Sequence, residues 1–186
     1  MKRTLCVIII LIMLLSFAFE IMDGAVFHGK ETLTVDQLKF YTHSIFKTCF
    51  VGVYTWSSDS SYAVLDIPDT VEGYRVTSLG GYANAPAPFM IIFPDAWSVY
   101  SPNALPKDAV VEQYHFDINI GRNLREDTLI SMDVYHRVGK NRYAQVLVSV
   151  NCSEDNFHFY AEDGRLYRKS DGALVEGFFY ASDYAH

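Results

Sequence analysis

Residues 67–80 read Ile67-Pro68-Asp69-Thr70-Val71-Glu72-Gly73-Tyr74-Arg75-Val76-Thr77-Ser78-Leu79-Gly80. Pro68 cannot donate to a strand ladder, so a strand stops at Ile67. Gly73 and Gly80 tolerate positive φ, so the chain can turn at both. Upstream, Leu65-Asp66-Ile67-Pro68 is an apolar, polar, apolar, breaker unit. The same unit recurs as Ile91-Ile92-Phe93-Pro94, Ile118-Asn119-Ile120-Gly121 and Val148-Ser149-Val150-Asn151. Ile67, Phe93, Ile120 and Val150 are spaced 26, 27 and 30 residues apart, and a fifth candidate lies near Leu174-Val175. Short strands at such intervals predict a solenoid, in which each coil buries its apolar edge against the next. An all-β sandwich or roll with strands at this spacing is the alternative.

The 67–80 stretch resembles the opening coil of BspA-like leucine-rich-repeat proteins, where a strand ending in Ile-Pro runs into a segment like D-T-V-E-G-Y-P-V-T-S-I-G. Glu154-Asp155-Asn156, Phe159-Tyr160-Ala161-Glu162-Asp163-Gly164-Arg165-Leu166-Tyr167 and Asp171-Gly172-Ala173-Leu174-Val175 are similar to that family's insertion between coils. Ile120-Gly121-Arg122-Asn123-Leu124-Arg125-Glu126 is similar to its coil start. The A-F-x-x-C closure usual in the family is reduced to a remnant at Gly81-Tyr82-Ala83, and residues 128–145 match nothing in it. The resemblance implies a β-rich α/β fold: a short, degenerate leucine-rich-repeat solenoid with a parallel strand ladder, an N-terminal cap and a C-terminal hairpin. It also implies an exported or cell-surface module that binds protein or glycan partners and has no enzymatic activity.

The chain has 186 residues, half of them hydrophobic and 20% charged. This is the composition of a packed domain and not of a disordered chain. A net charge of −7 with no long basic run argues against nucleic acid. Lys2 and Arg3, the apolar run Leu5–Leu15 and Ser16-Phe17-Ala18 form the three parts of a secretory signal over residues 1–18. The alternative is an uncleaved anchor, which would be the chain's one contact with a membrane. Cleavage would remove Lys2, Arg3 and Cys6, take the charge from −7 to −9, and leave Cys49 and Cys152 as a bonded pair or two free thiols.

Residues 19–62 are expected to form a lead-in and cap, and residues 63–186 the repeat domain. Thr34 is placed to cap a short helix over 35–43, with Val35, Leu38 and Tyr41 at helical spacing. Phe50–Trp56 reads as a strand. Six prolines between Pro68 and Pro106 keep any helix in the middle of the chain short. Near the C-terminus, Leu166-Tyr167 and Leu174-Val175 are expected to pair as a hairpin.

No catalytic motif stands out. The six histidines share no metal-ligand spacing, and no cofactor or metal is expected. The carboxylate pairs Glu126-Asp127, Glu154-Asp155 and Glu162-Asp163 fall in turn-like sequence. Adjacent side chains on a strand point to opposite faces, so these pairs do not flank a substrate bond. Cys49 with His43 lacks an orienting third residue. Aligning the four repeat units puts Asp66, Ile92, Asn119 and Ser149 in one row on an exposed sheet face. Val64, Met90, Asp117 and Leu147 form a second row. Asp66, Ile92, Asp117, Asn119 and Ser149 are the expected binding residues, with a protein or glycan outside the cell as partner. A cell-wall carbohydrate-binding module using the aromatics between Phe157 and Tyr184 is the second functional expectation.

Overall fold

The computed structural model describes residues 32–184 except 44, 58–59, 83–85 and 97–98. The expected signal and most of the lead-in lie outside the described residues. The chain enters as a hairpin of β1 (Thr32–Val35) and β2 (Leu38–His43), continued by β3 (Thr48–Thr55). Asp36 and Gln37, both at positive φ, make the two-residue turn whose twist suits a hairpin. Leu38 and Phe40 are buried and alternate with half-exposed Lys39 and Tyr41, the period of a strand. The helix expected over 35–43 is therefore corrected to a hairpin. Val35, Leu38 and Tyr41 fit helical spacing, but the Asp36-Gln37 turn breaks the run.

The remaining strands are β4 (Tyr62–Ile67), β5 (Thr70–Val71), β6 (Tyr74–Leu79), β7 (Gly81–Tyr82), β8 (Pro86–Ala87), β9 (Met90–Ile92) and β10 (Val99–Tyr100). Then come β11 (Val110–Ile120), β12 (Tyr135–Gly139), β13 (Arg142–Cys152), β14 (Phe159–Glu162), β15 (Arg165–Arg168) and β16 (Phe179–Tyr180). Two six-stranded sheets result. One runs β1-β2-β3-β6-β5 with β9 also on β3. The other runs β10-β12-β13-β11-β4 with β16 also on β13. Two-stranded ribbons β7-β8 and β14-β15 complete the fold. Both large sheets mix parallel and antiparallel pairs. Among the described residues there is no α-helix, only 3-10 turns at Pro102–Ala104 and Ala181–Asp183.

This corrects the expected β-rich α/β solenoid with one parallel ladder: the described residues are nearly all β, with their large sheets mixed. Only three of the four repeat segments share a ladder. β4, β11 and β13 pair in parallel, with Leu65, Ile118 and Val150 in one register line and Ile67, Ile120 and Cys152 in the next. The 148–151 segment is thus two residues out of the expected alignment. The Ile91 segment, β9, pairs with β3 in the other sheet. Along the outer edge of β13, antiparallel β12, drawn from the unmatched 128–145 stretch, pairs over residues 142–145, and the two-residue β16 pairs in parallel at Leu147 and Val148.

Inward residues of both sheets meet in one core. Leu38, Phe40 and Val51 from the first sheet join Leu65, Phe116, Ile118, Val148 and Val150 from the second. Phe40, Phe89, Phe116 and Phe159 are each 1% exposed or less. Truncating any one of them to alanine costs about 3–5 kcal/mol.

After each ladder strand the chain turns, and these turns stack. Asn123 Nδ2 donates to Asp69 O at 3.1 Å, and Asn156 Nδ2 donates to Gly121 O at 2.7 Å and Leu124 O at 3.0 Å. Beyond the turns, Ser78 bridges Glu126 in parallel, and Leu79 N–H donates to Glu126 O at 2.9 Å. Near the C-terminus, β15 pairs with β14 across an Asp163-Gly164 turn at positive φ. The expected return strand at Leu174-Val175 makes one bridge, Tyr167 to Leu174, and a hydrogen bond from Val175 N–H to Leu166 O.

Candidate functional site

Side chains alternate along β4, β11 and β13. Leu65, Ile67, Ile118, Ile120, Val148 and Val150 go to the core. Asp66, Asp117, Asn119, Ser149 and Asn151 are left on the opposite face, with Tyr62 and Val64 about half exposed beside them. The register places Asp66 beside Asn119 and Asn119 beside Asn151. Val64, Asp117 and Ser149 form the neighbouring line.

The polar groups on this face are tied to one another. Asn119 Nδ2 donates to Asp66 Oδ1 at 2.6 Å, and Asn151 Nδ2 donates to Asn119 Oδ1 at 3.0 Å. The Tyr62 hydroxyl donates to Asp117 Oδ2 at 2.6 Å. That hydrogen bond, with burial and the carboxylate charge behind it, holds the Tyr62 phenol above its ordinary pKa. Asp66 and Asp117 are the two carboxylates among these residues. Among the described residues neither forms an ion pair, so the face is negative and rich in acceptors. The Asp163-Gly164 turn closes it at β13: Gly164 O accepts from Val150 N–H, and Gly164 lies against Ser149.

No family model matches this chain, and no curated protein matches it. Among solved structures, the crystal structure of the pneumococcal vaccine antigen PcpA is similar over 78% of this chain and 55% of that one. The identity is 12% and the TM-score 0.21. The match thus spans about half of that chain, and at this score it carries no inference about fold or role.

Four of the five expected binding residues, Asp66, Asp117, Asn119 and Ser149, share the face. Ile92 does not. It lies on β9, opposite Thr55 of the other sheet. Leu147, expected in the second row, is 1% exposed. Sequence reasoning missed Asn151, whose place beside Asn119 follows from the two-residue shift. It also missed Tyr62, which reaches Asp117 along the strand pair. A polar residue two positions beyond Ser149 was the available signal for Asn151.

The C-terminal aromatics divide. Phe159, Phe178, Phe179 and Tyr180 are buried, and the Tyr180 hydroxyl donates to Val175 O at 2.7 Å. Tyr160 and Tyr167 stack at 5.2 Å, half exposed, and only Phe157 and Tyr184 stand in solvent. Cys49 and His43 line one cavity of about 410 Å³. Burial pushes the Cys49 thiol up to about 12, which deprives it of thiolate character at neutral pH. Both Cys49 and Cys152 are free. Of the paired carboxylates, Asp127 is bound to Arg168 at 2.7 Å. Among the described residues no three of His, Cys, Asp and Glu gather as a metal site.

Proposed function

We propose that this chain is a non-catalytic interaction module, exported or displayed at the cell surface, that presents the outer face of β4, β11 and β13 to a protein or glycan. The observation that carries this reading is the row Asp66–Asn119–Asn151, linked side chain to side chain across three paired strands. A row already fixed in geometry loses little side-chain entropy when a partner docks, which is where preorganised surfaces gain affinity. Tyr62 and Val64 add an amphipathic and an apolar contact at its edge, the mix found at recognition surfaces. Two aspartates without cationic partners favour hydroxyl- and amide-rich or basic partners over phosphates.

The double variant Asp117→Ala/Asn119→Ala tests the assignment. Both residues stand on the outer face, so folding should be retained. Binding in a glycan array or to extracellular proteins should fall by about tenfold or more on losing two central polar contacts. A ligand bound equally well by the double variant and by the parent chain places recognition elsewhere.

A further inference from the structure

On one rim the stacked turns carry basic residues, although the chain as a whole is acidic. The rungs are joined through the backbone. Arg75 N–H donates to Lys47 O, Arg125 N–H to Thr77 O and Lys169 N–H to His158 O, each at 2.8–2.9 Å. The first two bonds put Lys47, Arg75 and Arg125 on neighbouring rungs, and the third pairs Lys169 with His158 at the open end of the β14-β15 ribbon. Arg122 stands on the turn just before Arg125.

Within this row Arg75, Arg122, Arg125 and His158 line one cavity of about 210 Å³ together with Asn123 and Phe157. Arg122 is held at 3.1 Å from Asp69. Among the described residues Arg75 and Arg125 form no ion pair. The carboxylates on the same turns, Asp69, Glu72, Glu154 and Asp155, do not line the cavity. Lys47 and Lys169 are already engaged, the first over the Tyr74 ring and the second with Asn156 O. Two unpaired guanidiniums therefore face one small polar cavity. Phe157, 85% exposed, stands at its edge.

We infer that this rim is a second binding site, separate from the sheet face, and that it takes an anionic glycan. Guanidinium groups recognise planar oxyanions by paired hydrogen bonds, which suits a carboxylate or sulfate carried on a sugar. The cavity is smaller than the 300–1,000 Å³ usual for a whole small-molecule ligand, so one charged unit enters while the chain continues along the basic row. An aromatic ring held in water beside the guanidiniums gives the apolar face of a pyranose a surface to cover. The backbone N–H groups of Arg75, Arg125 and Lys169 are spent on rung-to-rung bonds. A peptide adding itself as a strand finds these three donors occupied, which shifts recognition toward side chains, as for a sugar chain.

Calorimetric titration of the folded chain with oligogalacturonate, heparin oligosaccharide, a neutral cello-oligosaccharide and poly-L-glutamate tests this. At low ionic strength at least one of the two anionic glycans binds, the neutral chain does not, and added salt weakens the binding. Arg75→Ala/Arg125→Ala lowers that affinity by about tenfold or more. Phe157→Ala lowers it by about threefold or more. All three side chains are exposed, and circular dichroism verifies that the variants fold. Failure of both anionic glycans to bind overturns the inference, as does binding that the double arginine variant leaves unchanged. Poly-L-glutamate binding as tightly as the glycans, with Phe157→Ala silent, also overturns it and assigns the rim to an acidic peptide.

Discussion

The side-chain amide of Asn156, 1% exposed, joins its own turn to the turn that ends at Leu124. Its nitrogen donates to Leu124 O at 3.0 Å and to Gly121 O at 2.7 Å. Its oxygen accepts from the N–H groups of His158 and Phe159, each at 2.8 Å. Both amide protons and both carbonyl lone pairs are thus used. Replacing Asn156 by alanine strands the buried Leu124 carbonyl, the half-buried Gly121 carbonyl and two N–H groups. The expected loss is about 3 kcal/mol in urea unfolding, or roughly 6–12 °C in Tm. Asn123→Ala, half buried and bonded chiefly to Asp69 O, should cost about 1 kcal/mol.

Gly80 and Gly172 have nearly the same φ, +67° and +68°, in different surroundings. A Cβ on Gly80 would lie 1.9 Å from the carbonyl oxygen of Leu129, whereas a Cβ on Gly172 meets nothing within 4 Å. Gly172→Ala should therefore cost only the backbone preference, about 1 kcal/mol. Gly80→Ala must in addition push apart the rungs at Leu79 and Leu129, and should cost more than about 4 kcal/mol or prevent folding. Parallel denaturation of the two variants measures the difference directly.

His136 is 1% exposed, with neither ring nitrogen hydrogen-bonded among the described residues, and its ring lies 5.6 Å from that of Phe93. Burial pushes its pKa down to about 4, against about 6.5 in the unfolded chain. The folded state thus favours the neutral ring. The contribution to stability is full above pH 6.5 and is lost as the pH falls through the folded value near 4. It amounts to about 3 kcal/mol over that window. His136→Phe should flatten the pH dependence of unfolding across this range. An unchanged slope would show that other groups carry it.

Cys49 and Cys152 supply a chemical test of burial. Burial pushes the Cys49 thiol up to about 12, and burial likewise raises the half-buried Cys152 against a smaller opposing effect of Lys169. At pH 8 iodoacetamide should leave Cys49 unmodified and alkylate Cys152 slowly, while both react within minutes in guanidinium. Peptide mass spectrometry assigns each site.

Much of the second sheet was legible in the residues, and the rest was hidden for definite reasons. Leu65-Asp66-Ile67 and Ile118-Asn119-Ile120 show the alternation of half-buried strands, and the two align as their spacing suggests. The third segment has the same alternation, but a shift of two residues leaves every side chain on its original face. Nothing in Val148-Ser149-Val150 could therefore tell that Asn151 sits beside Asn119. Ile91 and Phe93 are as buried as expected, yet partner choice depends on β3, remote in sequence. That residues 35–43 turn into a hairpin rests on Asp36 and Gln37 accepting positive φ, which helical spacing does not reveal. The basic rim was invisible in sequence, because Arg75, Arg125 and His158 meet only when the turns stack.

The proposed binding face depends most on the alignment of Asp66, Asn119 and Asn151. Nuclear Overhauser contacts between backbone protons of β4, β11 and β13 read that alignment directly. The expected cross-strand contacts place Asn119 between Asp66 and Asn151, with Asp117 between Val64 and Ser149. Contacts that instead put Ser149 opposite Asn119, or that separate β4 from β11, would contradict it and dissolve the proposed binding face.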